Sequence, residues 1–122
     1  MGLNDLRDEV YSNNVKAGWW TDITTGQPKE KGNITEILSK IALIHSEVSE
    51  ATEGARKGLM DDHIPTRPMV EVELADAVIR ILDLCGHEGW DIEGAIIEKL
   101  EYNKKRKDHT LAARMADGGK KA

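Results

Sequence analysis

The chain has 122 residues, a formal net charge of −5 at pH 7 and no phenylalanine. That length supports one domain with a modest core, and the acidic balance argues against binding a nucleic-acid polymer. A single cysteine, Cys85, excludes an internal disulfide and fits a reducing compartment. No apolar run reaches membrane-spanning length and no signal peptide is evident, so the expectation is a soluble, cytoplasmic protein that does not engage a membrane. The aromatic residues are Trp19, Trp20, Trp90, Tyr11 and Tyr102. The core must therefore be built from Leu, Ile, Val and Ala, which suits helices packed on helices. So small an aliphatic core is a candidate for completion by oligomerisation.

In chain order, residues 3–17 predict a first helix with Leu3, Leu6 and Val10 turned inward. Residues 18–33 read as a loop, from Gly18-Trp19-Trp20 through Gly26, Pro28 and Gly32. A second helix starts at Asn33, a capping residue with Glu36 three positions on. Ile34, Ile37, Leu38, Ile41, Ile44, Val48, Ala51 and Ala55 follow with helical period and are expected inward. Arg56, Lys57 and Gly58 suit its end. Pro65 and Pro68 punctuate the next loop, and a third helix is predicted from Met69 to Cys85, stopped by Gly86 and Gly89. Its apolar residues cover more than half the circumference, which marks it as central. Asp91 caps a fourth helix carrying Ile92, Ala95, Ile96 and Leu100 and ending near Arg106 or Lys107. The reading is an all-α bundle of four to five helices, one domain over residues 1–107, with a loosely ordered tail at 108–122.

Two carboxylate pairs stand out. Glu47-Val-Ser-Glu50 and Glu73-Leu-Ala-Asp76 each place two acids one helical turn apart, on a shared face. If the two helices lie side by side, the acids can converge, and a divalent cation would remove the repulsion. Oxygen-only donors suit Mg²⁺, with Mn²⁺ as an alternative, rather than zinc. Spacing alone leaves open the plainer reading, in which both faces are solvated and Asp76 pairs with Arg80 one turn on. Leu43, in line with Glu47 and Glu50, suggests that their side of the second helix is partly covered. The basic run from Lys99 to Lys107 is open in the same way, as a phosphate contact or as a solvated helix end.

The order E-x-x-E, loop, E-x-x-D on an apolar helix resembles the MazG-like branch of the all-α nucleoside triphosphate pyrophosphohydrolases. Leu43-Ile-His-Ser-Glu47-Val-Ser-Glu50-Ala51 looks like that family's first metal helix, and Glu73-Leu-Ala-Asp76-Ala-Val-Ile-Arg80-Ile-Leu-Asp83 like its second. Lys99-Leu-Glu-Tyr-Asn103-Lys-Lys-Arg106 resembles the closing K-x-x-x-N-x-x-R pattern, and Gly18-Trp19-Trp20 sits where many relatives carry G-[FW]-[WF]. The resemblance spans roughly residues 15–106. The tail departs from it, since Gly118-Gly119-Lys120 falls more than ten residues after Arg106.

The resemblance implies a Mg²⁺-dependent enzyme that cuts a nucleoside triphosphate between its α and β phosphates, releasing a monophosphate and pyrophosphate. The role implied is cleansing or balancing nucleotide pools. Glu47, Glu50, Glu73 and Asp76 would be the metal ligands and catalytic acids. Lys99, Asn103 and Arg106 would contact substrate, and either Trp19 or Trp20 could stack on the base while the other packs. Asp83 would act from behind, orienting a basic residue or a water. A homodimer or tetramer is implied. Two other readings compete: a non-enzymatic helical protein that binds a partner, and a phosphoribosyl-ATP pyrophosphohydrolase. A ferritin-like di-iron site is set aside because neither Glu47 nor Glu73 is followed by the required His.

Overall fold

A computed structural model describes residues 1–122, with the side chain of Lys107 outside the description. Among the described residues there are five α-helices and no β-strand. Helices α1 (Leu3–Lys16), α2 (Ile34–Lys57) and α3 (Met69–Glu88) belong to one compact unit, Met1–Trp90. Helix α4 (Ile92–Lys105), a 3-10 turn (Lys107–His109) and the short α5 (Leu111–Met115) belong to a second, Asp91–Ala122. The all-α class is as expected. The fourth helix groups with the tail rather than with the first three, and the tail carries a turn and a short helix.

Local chemistry sets the helix ends. The Asn33 side chain accepts from the Glu36 N–H at 3.1 Å and opens α2. Gly58, in the left-handed region at φ 63°, closes it with its N–H on Gly54 O. Asp91 accepts from the Gly94 N–H at 2.8 Å and opens α4. The predicted stop at Gly86 is corrected: α3 continues to Glu88 and Gly89 ends it at φ 74°. Gly86 serves packing instead. A Cβ there would lie 2.5 Å from Tyr11 Cβ, so the missing side chain is what lets α1 pack so closely on α3.

Within the first unit α3 packs against both α1 and α2, the central position its broad apolar surface predicts. Leu82, Leu84, Cys85 and Ala77 of α3 are buried, together with Ala51 of α2 and Trp20. Burial also pushes the Cys85 thiol up from its ordinary pKa. Helix α2 departs from expectation in a way that matters for function. Its covered line is Ile37, Lys40, Ile44, Glu47, Ala51 and Gly54, spaced three and four apart. Ile34, Leu38, Ile41, Val48 and Ala55, expected inward, are exposed. Gly54 is on the covered line because Met69 crosses it; a Cβ there would meet Met69 Cγ at 2.8 Å. The stripe bearing Glu47 therefore faces α3, and the longer apolar stripe faces out. On α3, Leu74, Val78 and Ile79 are exposed as well.

Both long loops of this unit are tied down. In the first, Thr21 bridges Pro28, and Lys29 N–H donates to Trp20 O at 2.8 Å. In the second, Met60 bridges Pro68, and Asp61 N–H donates to Arg67 O at 3.0 Å. Among the described residues no helix is long and apolar enough to cross a membrane.

Candidate metal and substrate site

Packing of α2 on α3 brings Glu47, Glu73 and Asp76 together. One carboxylate oxygen from each lies within 4.8 Å of the other two, and all three side chains are half-buried. Glu47 reaches this point because its stripe is the one that packs on α3. Glu73 and Asp76 follow from their one-turn spacing. Glu50, predicted as a fourth ligand, is exposed and lies outside this trio. It lines the same cavity of about 400 Å³, together with Asp61 and His63.

The electrostatics are those of crowded carboxylates. Glu73 is pushed up to about 7 by its hydrogen bond with Glu47, by burial, and by the charges of Glu47, Asp76 and Glu50. Asp76 is raised by burial and by the charges of Glu47 and Asp61, against the pull of Arg80 and His63. Glu47 goes the other way. Burial raises it, but hydrogen bonds from Arg80 and from Glu73 outweigh that and hold it below the ordinary value. Glu73 is thus the acid most inclined to hold a proton, while Glu47 leans on one arginine.

That arginine was not among the predicted site residues. Read from spacing, Arg80 is an ordinary partner of Asp76 one turn away; in the structure its Nε donates to Glu47 Oε1 at 2.8 Å, across to α2. Asp61 was missed too. It is buried, and its Oδ2 accepts from the N–H groups of His63 and Ile64 at 2.9 and 2.8 Å. The Asp61-Asp62-His63 run is an Asx-turn signal of the kind that fixes a loop, and here it fixes one beside the acids.

A larger cavity of about 980 Å³ adjoins the trio, sharing Glu47 and Asp76 as walls and reaching Trp19, Lys40 and Asp83. Trp19 is 65% exposed on its rim, whereas Trp20 is 3% exposed. Trp20 stacks on His87 with ring centroids 3.7 Å apart, carries Lys40 Nζ 4.5 Å from its ring, and meets Tyr11 edge-on. The expectation of Trp20 as a partner for the base is corrected: its ring is already occupied in the core. Asp83 is explained by the same cluster, since its Oδ1 accepts from Trp20 Nε1 at 2.8 Å. Lys29 and Lys40 both pair with Glu36, at 2.9 and 3.8 Å.

Lys99, Asn103 and Arg106 belong to the second unit. Lys99 Nζ lies 4.6 Å from the Tyr102 ring centre. Arg106 binds Asp108 through Nε and Nη2, at 3.1 and 2.8 Å. Asn103 Oδ1 is buried without a hydrogen-bond partner among the described residues.

Three carboxylates and no nitrogen or sulfur donor make a hard site, suited to Mg²⁺ or Mn²⁺ and poorly suited to zinc or copper. Compared with protein-family models, with curated proteins and with solved structures, the chain matches none.

Proposed function

We propose that the protein is a Mg²⁺-dependent nucleoside triphosphate pyrophosphohydrolase, releasing a monophosphate and pyrophosphate. The observation that carries this reading is the convergence of Glu47, Glu73 and Asp76 beside a cavity large enough for a nucleotide. Those three carboxylates would hold the ion, which supplies neutralising charge for the triphosphate and for the leaving pyrophosphate. Glu50, exposed and lining the smaller cavity on which the trio also opens, would accept a proton from an attacking water. Trp19 is the tryptophan with a face to offer a base, a contact of roughly 1–3 kcal/mol. The roles of Lys99, Asn103 and Arg106 rest on the family resemblance alone.

A homodimer belongs to the same reading. It is supported by the apolar stripe Ile34, Leu38, Ile41 and Val48 that α2 leaves exposed. The same stripe is what favours the rival reading, a helical protein that binds a different partner without catalysis.

The deciding experiment is a panel of canonical and modified ribo- and deoxyribonucleoside triphosphates with Mg²⁺, scored for pyrophosphate against orthophosphate. Pyrophosphate release that disappears in EDTA and in a Glu47→Gln, Glu73→Gln double variant is expected. Orthophosphate as the first product, or equal turnover by that variant, would sink the mechanism.

A further inference from the structure

The large cavity reaches the acid trio through Glu47 and Asp76, and Arg80 lines it as well. Three of the side chains lining that cavity carry positive charge: Lys29, Lys40 and Arg80. The two lysines are committed to Glu36. Arg80 is held differently. Among the described residues only its Nε makes a hydrogen bond, donating to Glu47 Oε1 at 2.8 Å, and the side chain is 41% exposed. A guanidinium has five N–H donors in a rigid plane, and the terminal nitrogens of Arg80 have no protein partner among the described residues. Glu47 thereby fixes the plane of the fork while leaving its outer edge to the cavity. Arg80 also stands one turn beyond Asp76 on α3, which puts it on the face that bears the acids.

From this geometry we propose that Arg80 is a phosphate-recognising residue: Glu47 orients the guanidinium through Nε, and the terminal N–H groups take an oxygen of the polyphosphate entering the cavity. The proposal rests on the pyrophosphohydrolase reading and adds to it a residue that neither the acid pairs nor the basic run at 99–107 pointed to. Arginine suits the task because its planar fork matches phosphate oxygens two at a time, whereas a lysine offers a point charge. One side chain would then connect a metal-holding carboxylate to the substrate. The competing explanation is that Arg80 merely neutralises Glu47.

The test is calorimetric titration of the full chain with inorganic tripolyphosphate in saturating Mg²⁺, and separately with Mg²⁺ alone, for the wild type, Arg80→Gln and Arg80→Lys. Tripolyphosphate is a probe independent of the base. The expected result is a tenfold or greater loss of tripolyphosphate affinity in Arg80→Gln, a smaller loss in Arg80→Lys, and Mg²⁺ affinity within threefold of wild type in both. Tripolyphosphate affinity within twofold of wild type in Arg80→Gln overturns the proposal. So does an equal fold-loss for Mg²⁺ alone, which would identify Arg80 as a counterion that holds Glu47 in place. Pyrophosphate release by the wild type is measured alongside. Its absence with every nucleotide defeats the enzymatic reading and this proposal together, whereas its presence with an unaffected Arg80→Gln titration defeats this proposal alone.

Discussion

Trp20 and Asp83, separated by 63 positions in the chain, are joined by a buried 2.8 Å hydrogen bond from indole Nε1 to carboxylate Oδ1. The bond ties the first loop to the central helix and assigns neighbouring tryptophans to different tasks. A Trp20→Ala variant loses a stacked core residue and leaves a buried carboxylate without its donor. We expect destabilisation of about 3–5 kcal/mol, read by urea unfolding. Trp19→Ala, on the cavity rim, should leave the unfolding midpoint nearly unchanged. It should raise KM about five- to a hundredfold, the loss of one stacking contact. The opposite pattern would exchange the two roles.

The four acids should not behave alike. Glu47→Gln, Glu73→Gln and Asp76→Asn each remove a member of the converging trio. Each is expected to weaken Mg²⁺ binding and to lower kcat/KM on the order of a hundredfold or more. Glu50→Gln should retain most of the Mg²⁺ affinity, since Glu50 lies outside the trio, while losing turnover if it serves as base. Calorimetry with Mg²⁺ and steady-state pyrophosphate release separate the two effects.

Glu73 gives the metal-free protein a pH signature. Its pKa is raised from an ordinary 4.5 to about 7, so the folded state holds a proton that the unfolded chain has already lost. The resulting stabilisation is present below pH 4.5 and is lost as pH climbs through about 7. Glu73 is only half-buried, so solvent screening holds the effect to a fraction of what so large a shift would give in a closed core. Thermal melts in EDTA should therefore show a midpoint that declines across this window. Excess Mg²⁺, taking the place of the proton, should flatten the decline and release up to about one proton per chain near pH 6.

Gly86 tests the packing of α1 on α3. Gly86→Ala would gain helix propensity at an exposed site, yet here the added methyl meets Tyr11 Cβ at 2.5 Å and Cγ at 2.9 Å. Overpacking should dominate, costing about 1–3 kcal/mol. Shortening the partner side chain, in a Tyr11→Ala, Gly86→Ala double variant, should show a favourable coupling between the two sites. Additive losses would show that the clash is not the cause.

Leu38, 58% exposed on the outer stripe of α2, tests the dimer. Leu38→Glu should convert a dimer to a monomer in analytical ultracentrifugation without lowering helix content. A wild-type chain that sediments as a monomer at every concentration would leave the stripe to another partner.

Much of this architecture was legible in the sequence because it is local. Asn33, Gly58 and Asp91 act on backbone groups within four residues, so their capping roles can be read directly. The convergence of the acids was legible in part, since one-turn spacing aligns each pair. What spacing could not decide was which of two stripes on α2 would be covered. The apolar stripe through Ile41 and Val48 is the stronger burial signal taken alone. The alternative wins because small Ala51 and Gly54 let α3 and Met69 approach on the Glu47 side. Gly86 misled for a related reason: in sequence a glycine reads as a stop, and only a neighbour such as Tyr11 shows it to be a contact. Arg80 was read as serving its own helix because local pairs are visible in a sequence and a bond from α3 to α2 is not. Nor does the sequence separate Trp19 from Trp20, which are chemically identical until one is enclosed.

The unequal enclosure of the three tryptophans also equips the protein with its own optical reporters. Trp20 is 3% exposed while Trp19 and Trp90 are 65% and 45% exposed, so a blue-shifted emission component belongs to Trp20 and a red-shifted, iodide-quenchable one to the other two. Unfolding should extinguish the first. A ligand that enters the large cavity should perturb the second through Trp19 and leave the first unchanged. A Trp90→Phe variant would simplify the spectrum to one indole in the core and one at the cavity rim, allowing fold integrity and occupancy to be followed in the same cuvette.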